Sequence, residues 1–182
     1  LHRLVGSEMC IRDSYRAEDV KATHSIVFAG PVEGLIELRQ IRSGEKYEDF
    51  YDDLNALDAK VVANSAGQSL IRVNTDAERG NWAQSWQWSV DDQRVFAAAF
   101  AELMQNFKSV ETYVALGSIN QGVSKHGESH YIYSNQGSFA DNLNGGPQNQ
   151  PEFEAFEKFG NTIAPISTFL GTRTEVTLKT WQ

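Results

Sequence analysis

The sequence predicts an α+β fold: a four-stranded antiparallel sheet with two helices on one face, preceded by the later part of a second such unit. Three observations lead there. Trp82, Trp86, Trp88 and Val90 alternate with Ala83, Ser85, Gln87 and Ser89, the two-residue period of a strand with one apolar face. Two segments, one through Phe96, Phe100, Leu103 and Phe107 and one through Phe153, Phe156, Phe159 and Ile163, carry large apolar residues at helical spacing. Runs rich in β-branched and aromatic residues follow each helix or separate the two.

The elements follow in order. The tryptophan-bearing strand leads into Ser89-Val90-Asp91-Asp92, read as a capping box with Asp in place of Glu, and then into the first helix. Val110, Thr112, Val114 and Leu116 form the next strand, and the stretch from Asn120 to Glu128, with Gly122 and Gly127, reads as a connection. His130 to Tyr133 is the third strand, and Asn142 to Gln150 a loop. Pro151 suits a first helical turn, where its missing N–H costs nothing. Pro165 ends that helix, and Phe169 to Trp181 supplies the last strand, with a kink expected near Gly171. The order βαββαβ is that of the ferredoxin-like arrangement.

An internal repeat organises the remainder. His24 and His130 lie 106 positions apart, and the same offset sets Thr23–Val27 against Ser129–Tyr133 and Tyr47–Phe50 against Phe153–Phe156. On this reading Thr23 to Phe28 is the third strand of a first copy, Tyr47, Phe50, Leu54 and Leu57 mark its second helix, and Ser69 to Asn74 is its fourth strand. The expected domains are therefore 15–75, the C-terminal half of a first unit, and 76–182, a complete second unit. Residues 1–14 are expected to be a foreign tail: Leu4 to Ser14, back-translated, resembles a transposase-type sequencing adapter read in frame. The only cysteine, Cys10, falls in that tail, so the rest offers no disulfide or thiolate; this is compatible with export without demonstrating it.

Composition narrows the partners. A net charge of −8, with no clustered basic residues, disfavours nucleic acid. Apolar runs are only a few residues long, so no membrane-spanning helix is expected. Zinc spacing, a phosphate-cradling glycine loop and a serine nucleophile elbow are all missing from the sequence.

In element order, and in a Phe-rich second helix leading into the last strand, Asn81 to Trp181 resembles the dimeric α/β-barrel superfamily, which includes antibiotic-biosynthesis-monooxygenase-like domains; Ala22 to Asn74 resembles half of another. The resemblance implies sheets that pair through their open faces, between subunits or tandem copies, around an apolar cavity. It also implies a range of activities: cofactor-free monooxygenases, haem-degrading enzymes, small isomerases and families without known activity. A shared fold does not choose among them.

Candidate site residues are correspondingly few. His130 and His24 are candidate acid/base groups or haem-facing ligands, against a structural role at a strand start. Trp86, Gln87, Tyr113 and Asn120 are candidate ligand-binding residues, with Arg94 a further polarising group. His126 reads as solvent-exposed, and Asp52-Asp53 and Asp91-Asp92 as solvation and helix-dipole partners. The tryptophan face is expected to be buried, and any cavity to lie on the Ser85–Gln87 side or at the strand ends near His130. Three functions stay open: a module that binds a small hydrophobic ligand or is purely structural, with self-association through sheet faces; a cofactor-independent oxygenase or isomerase; and a haem-binding or haem-degrading protein. Haem is the one cofactor the resemblance brings in; no metal is expected.

Overall fold

The computed structural model describes residues 21–29, 36–41, 64–123, 127–138, 140–141 and 145–181. The expected helix around Tyr47–Leu57, Asp52-Asp53, His126 and the tail 1–14 lie outside these residues. The described elements are β1 (Lys21–Ala29), β2 (Ile36–Ile41), β3 (Asn64–Val73), β4 (Trp82–Val90), α1 (Gln93–Asn106), β5 (Val114–Val123), β6 (His130–Gln136), α2 (Gln150–Ile163), a 3-10 turn (Ala164–Ile166) and β7 (Ser167–Trp181).

They form one seven-stranded sheet in the order β2-β1-β7-β4-β6-β5-β3, with antiparallel ladders throughout. The inner four strands, β7-β4-β6-β5, with α1 and α2, are the ferredoxin-like βαββαβ unit. Both helices cover one face. Trp88, Leu116 and Ile132 from the sheet meet Phe96, Phe100, Leu103, Phe159 and Ile163 from the helices in one cluster, with Trp86 and Val90 packed against it. Phe96 is fully buried at its hub. Its ring lies 5.5 Å from Trp88 and 5.8 Å from Phe159, both edge-to-face.

Capping chemistry sets the helices. Asp92 is itself the N-cap of α1, its Oδ1 accepting from Arg94 N and Val95 N at 3.0 and 3.1 Å; the expected box starting at Ser89 is displaced by this shorter solution. Asn149 caps α2 by accepting from Glu152 N at 3.1 Å. Glu152, although charged, is turned inward and 1% exposed. Its Oε1 accepts from Ser109 N at 2.7 Å, and its Oε2 accepts from Ser109 Oγ at 2.8 Å and Gln148 N at 2.9 Å. This rotation corrects the predicted stripe: α2 buries Glu152, Phe159 and Ile163, while Phe153 and Phe156 are exposed.

Three further expectations change. β5 begins at Val114 because Asn74, at φ 53°, donates its side-chain amide to Val110 O and Thr112 O and holds that stretch in a turn. β5 runs on to Val123, through Asn120, because β3 supplies a partner for its far end. Thr23–Phe28 pairs with β2 in a hairpin and with β7, the position of a second strand rather than a third, and Ile36–Ile41 takes the third. His24, beside Leu38 and Lys179, and His130, beside Trp88 and Ser118, therefore occupy different positions. β3 extends the sheet by bonding β5 edge to edge. The kink expected in β7 is present: the ladder with β4 slips between Gln87 and Trp88, and Gly171 takes φ 131°.

Candidate functional site

Strand alternation sends every second residue of the inner sheet away from the helices. The ladders align these residues in rows. Glu175, Ala83 and Asn135 form one; Arg173, Ser85, Tyr133 and Ala115 the next; Gly171, Gln87, Tyr131 and Gly117 the third. Rows are about 7 Å apart, two residues along a strand, and neighbouring columns about 4.8 Å apart. The result is a floor with small residues at Ala83, Ser85, Ala115, Gly117 and Gly171, among tyrosines and amides.

This floor is polar yet buried. Ser85, Gln87, Asn135 and Glu175 are each no more than 4% exposed. Arg173 Nε donates to Glu175 Oε1 at 2.6 Å, and Arg173 Nη2 also contacts that carboxylate. Asn135 Nδ2 donates to the carbonyls of Gly80 and Trp82 at 3.1 and 3.2 Å, which fixes its amide orientation. Its Oδ1 is left without a partner, as are Ser85 Oγ and Gln87 Oε1. Tyr131 reaches across to β5 and occupies the space above Gly117. At one end Tyr113 meets Tyr133 edge-to-face, with the Arg79 guanidinium 3.9 Å above the Tyr113 ring.

His130 is on the other face. Its ring lies 5.9 Å from Phe96, within the helix-covered core, and is 5% exposed. Nδ1 is 3.0 Å from Ser129 Oγ, and Ser129 Oγ accepts from Val90 N at 2.9 Å. Nε2 is buried without a partner. Desolvation pushes the imidazole pKa below its ordinary 6.5, towards the neutral ring. Packed against Phe96, His130 presents no ring to a haem, and the residues around it do not fit one. His24 lies on β1, and its side chain is outside the described residues.

The predicted ligand-binding residues are thus divided. Gln87 and Tyr113 share the polar face, whereas Trp86 packs against the helix-covered core. Asn120 is exposed near the end of β5, where its Oδ1 accepts from Ser118 Oγ at 2.9 Å. Arg94 is exposed in the first turn of α1. Ser85 had been placed on the cavity side by alternation alone. Tyr131, Tyr133, Asn135, Arg173 and Glu175 were missed because membership of this face depends on ladder register, and their own strands carry little contrast between faces. A groove between α1 and α2, lined by Ala99, Leu103, Ala155 and Phe159 among others, has room for about one water. Among the described residues no cluster of three or more His, Cys, Asp or Glu is placed to hold a metal, and no helix is long and apolar enough to cross a membrane.

Comparison with solved structures places the fold. An anthrone oxidase-like protein superposes with a TM-score of 0.60 at 14% identity, over 97% of this chain and 85% of its own. A putative monooxygenase from Lactobacillus acidophilus NCFM superposes with a TM-score of 0.50 at 13% identity, over 98% of this chain and 87% of its own. At such identities the likeness is one of fold alone, the ferredoxin-like α+β arrangement. No family model and no curated protein matches the chain.

Proposed function

We propose that the protein binds a small, largely apolar molecule on the polar floor of its sheet, with Ser85, Gln87 and Asn135 as its hydrogen-bonding contacts. One observation carries this reading: three buried polar atoms without partners lie on one sheet face. Leaving such an atom unsatisfied costs about 1–3 kcal/mol, and protein interiors seldom do so repeatedly in one place. A ligand with a hydroxyl or N–H group beside a flat apolar body would supply the partners and cover the small residues between the tyrosines. The test is quenching of tryptophan fluorescence by 1-naphthol, an apolar ring with one hydroxyl. Saturable quenching, weakened about tenfold or more in the Gln87→Leu variant, supports the reading; equal affinity of variant and parent sinks it.

A cofactor-independent oxygenase or isomerase of a hydrophobic small molecule is the second reading, favoured by the two superposed proteins bearing oxidase and monooxygenase names. Oxygen uptake with 1-naphthol, in metal-free buffer, separates it from binding alone. Arg173 and Glu175 are the ionic residues in the described rows of the floor, so Glu175→Gln should abolish any turnover while leaving binding in place.

A further inference from the structure

The segment joining β3 to β4 is tied to the first row of the polar floor. At its start, Asn74 donates its side-chain amide to Val110 O and Thr112 O at 2.8 and 3.0 Å, and its carbonyl accepts from Ala77 N at 3.0 Å. At its end, Asn135 Nδ2 donates to the carbonyls of Gly80 and Trp82, and Thr177 N donates to the carbonyl between them, Asn81 O, at 2.7 Å. Arg79 lies between these anchors, one residue before Gly80. Its backbone is therefore held in place, and its guanidinium rests 3.9 Å over the ring of Tyr113. Tyr113 in turn adjoins the row that carries Asn135, because Asn135 N donates to Tyr113 O at 3.0 Å.

That corner of the floor is positive. Arg173 and Glu175 are in contact and cancel in formal charge. Arg79 is exposed, and among the described residues no carboxylate lies within ion-pair distance of it; Asp76 and Glu78, on the same segment, are exposed as well. Stacking on Tyr113 occupies the face of the guanidinium, whereas its N–H groups lie in the plane and point past the ring. Two N–H groups along one edge match the two oxygens of a carboxylate. In the neighbouring column, buried Asn135 Oδ1 lacks a donor. A chain of net charge −8 repels anions in general, so an oriented cation beside an unpartnered acceptor is a selective feature rather than a general attraction.

Resting on the binding reading given above, we propose that Arg79 sets the specificity of the floor and that the molecule bound there is an anionic hydroxyaryl acid. Its carboxylate pairs with the Arg79 guanidinium above Tyr113. Its ring lies against Tyr133, Ala83 and Ala115, and its hydroxyl donates to one of the floor's unpartnered acceptors. A single guanidinium balances the one charge of a carboxylate and not the two of a phosphate monoester.

Calorimetric titration of the full chain at neutral pH compares 6-hydroxy-2-naphthoate with 2-naphthol, the same ring and hydroxyl without the carboxylate. The acid should bind at least about tenfold more tightly than the naphthol, and rising salt should weaken the acid alone. Arg79→Gln should remove that advantage and leave the affinity for 2-naphthol unchanged, which also shows that the variant is folded. Arg79→Lys should restore only part of it, since an ammonium does not make the two-point contact. An acid that binds no better than the naphthol, or keeps its advantage in Arg79→Gln, overturns the anion contact, while binding of the naphthol leaves the floor reading standing. Loss of both ligands in Arg79→Gln gives Arg79 a structural part and overturns the contact as well. Binding of neither compound to the parent sinks both readings.

Discussion

Tyr131 lies so close over Gly117 that a Cβ added to the glycine would sit 2.4 Å from the tyrosine's ring carbon Cζ and 2.5 Å from its hydroxyl oxygen. The glycine on β5 therefore decides where the phenol of β6 can lie, and with it the shape of the polar floor.

Gly117→Ala should displace Tyr131 and destabilise the fold by about 1–3 kcal/mol, the usual cost of overpacking. The double variant Gly117→Ala, Tyr131→Phe should recover little, because the ring carbons, not only the hydroxyl, meet the new methyl. Tyr131→Ala in the same background should relieve the clash. Denaturant midpoints measure all three; recovery by phenylalanine alone would mean that the ring tilts freely.

His130 makes stability depend on pH. Its folded pKa is lowered by burial, so below the unfolded value near 6.5 the unfolded chain takes up a proton that the folded chain resists. Stability is full above that pH and falls as pH drops towards the folded pKa. Urea midpoints between pH 7.5 and 5.5 should decline more steeply for the parent than for His130→Gln. Parallel slopes would contradict the buried neutral ring.

Glu152 acts lower on the scale. The Gln148 N–H is the largest cause holding its carboxyl below the ordinary 4.5, the Ser109 and Asn149 hydrogen bonds add to it, and burial opposes them. Its stabilising contribution is present above pH 4.5 and is lost as pH falls through the lowered folded value. Thermal midpoints at pH 7 should rank Glu152, then Glu152→Gln, then Glu152→Ala, since glutamine keeps one acceptor oxygen for the Ser109 and Gln148 donors. An alanine variant as stable as the parent would show the clamp to be inert.

Phe96→Ala should cost about 3–5 kcal/mol, as large aromatic truncations in cores do. Trp86→Ala should cost less, because Trp86 is only partly buried at the margin of that cluster. Calorimetric or denaturant measurements that reverse this order would place Trp86 nearer the hub than the packing does.

The βαββαβ order and the packing of Trp86 and Trp88 towards the helices were legible because β4 and α1 carry strong contrast: tryptophans alternate with small polar residues, and Phe96, Phe100 and Leu103 fall on one helical stripe. α2 misled because its phenylalanines have the same spacing as its true inner face, and only the demand of Ser109 and Gln148 for an acceptor turns Glu152 inward. The β1–β2 hairpin escaped notice because the alternation of Ile36-Glu37-Leu38-Arg39 is short and a shared His-x-Ile pattern, His24 and Ile26 against His130 and Ile132, aligned β1 with the wrong strand. The polar floor was half legible: Ser85 and Gln87 stand out in β4, but which residues of β6 and β7 join them is a matter of register, which no local pattern records.

Strand β4 answers to two masters that do not compete. Its even-numbered positions, Trp86 and Trp88, face the helices, and its odd-numbered positions, Ser85 and Gln87, face the floor. A library randomised only at Ser85, Gln87 and their row neighbours Tyr131 and Tyr133 can therefore explore new ligand shapes while the aromatic packing that folds the chain stays untouched. Selection on this strand is separable by parity, which makes the floor an evolvable surface on a fixed support.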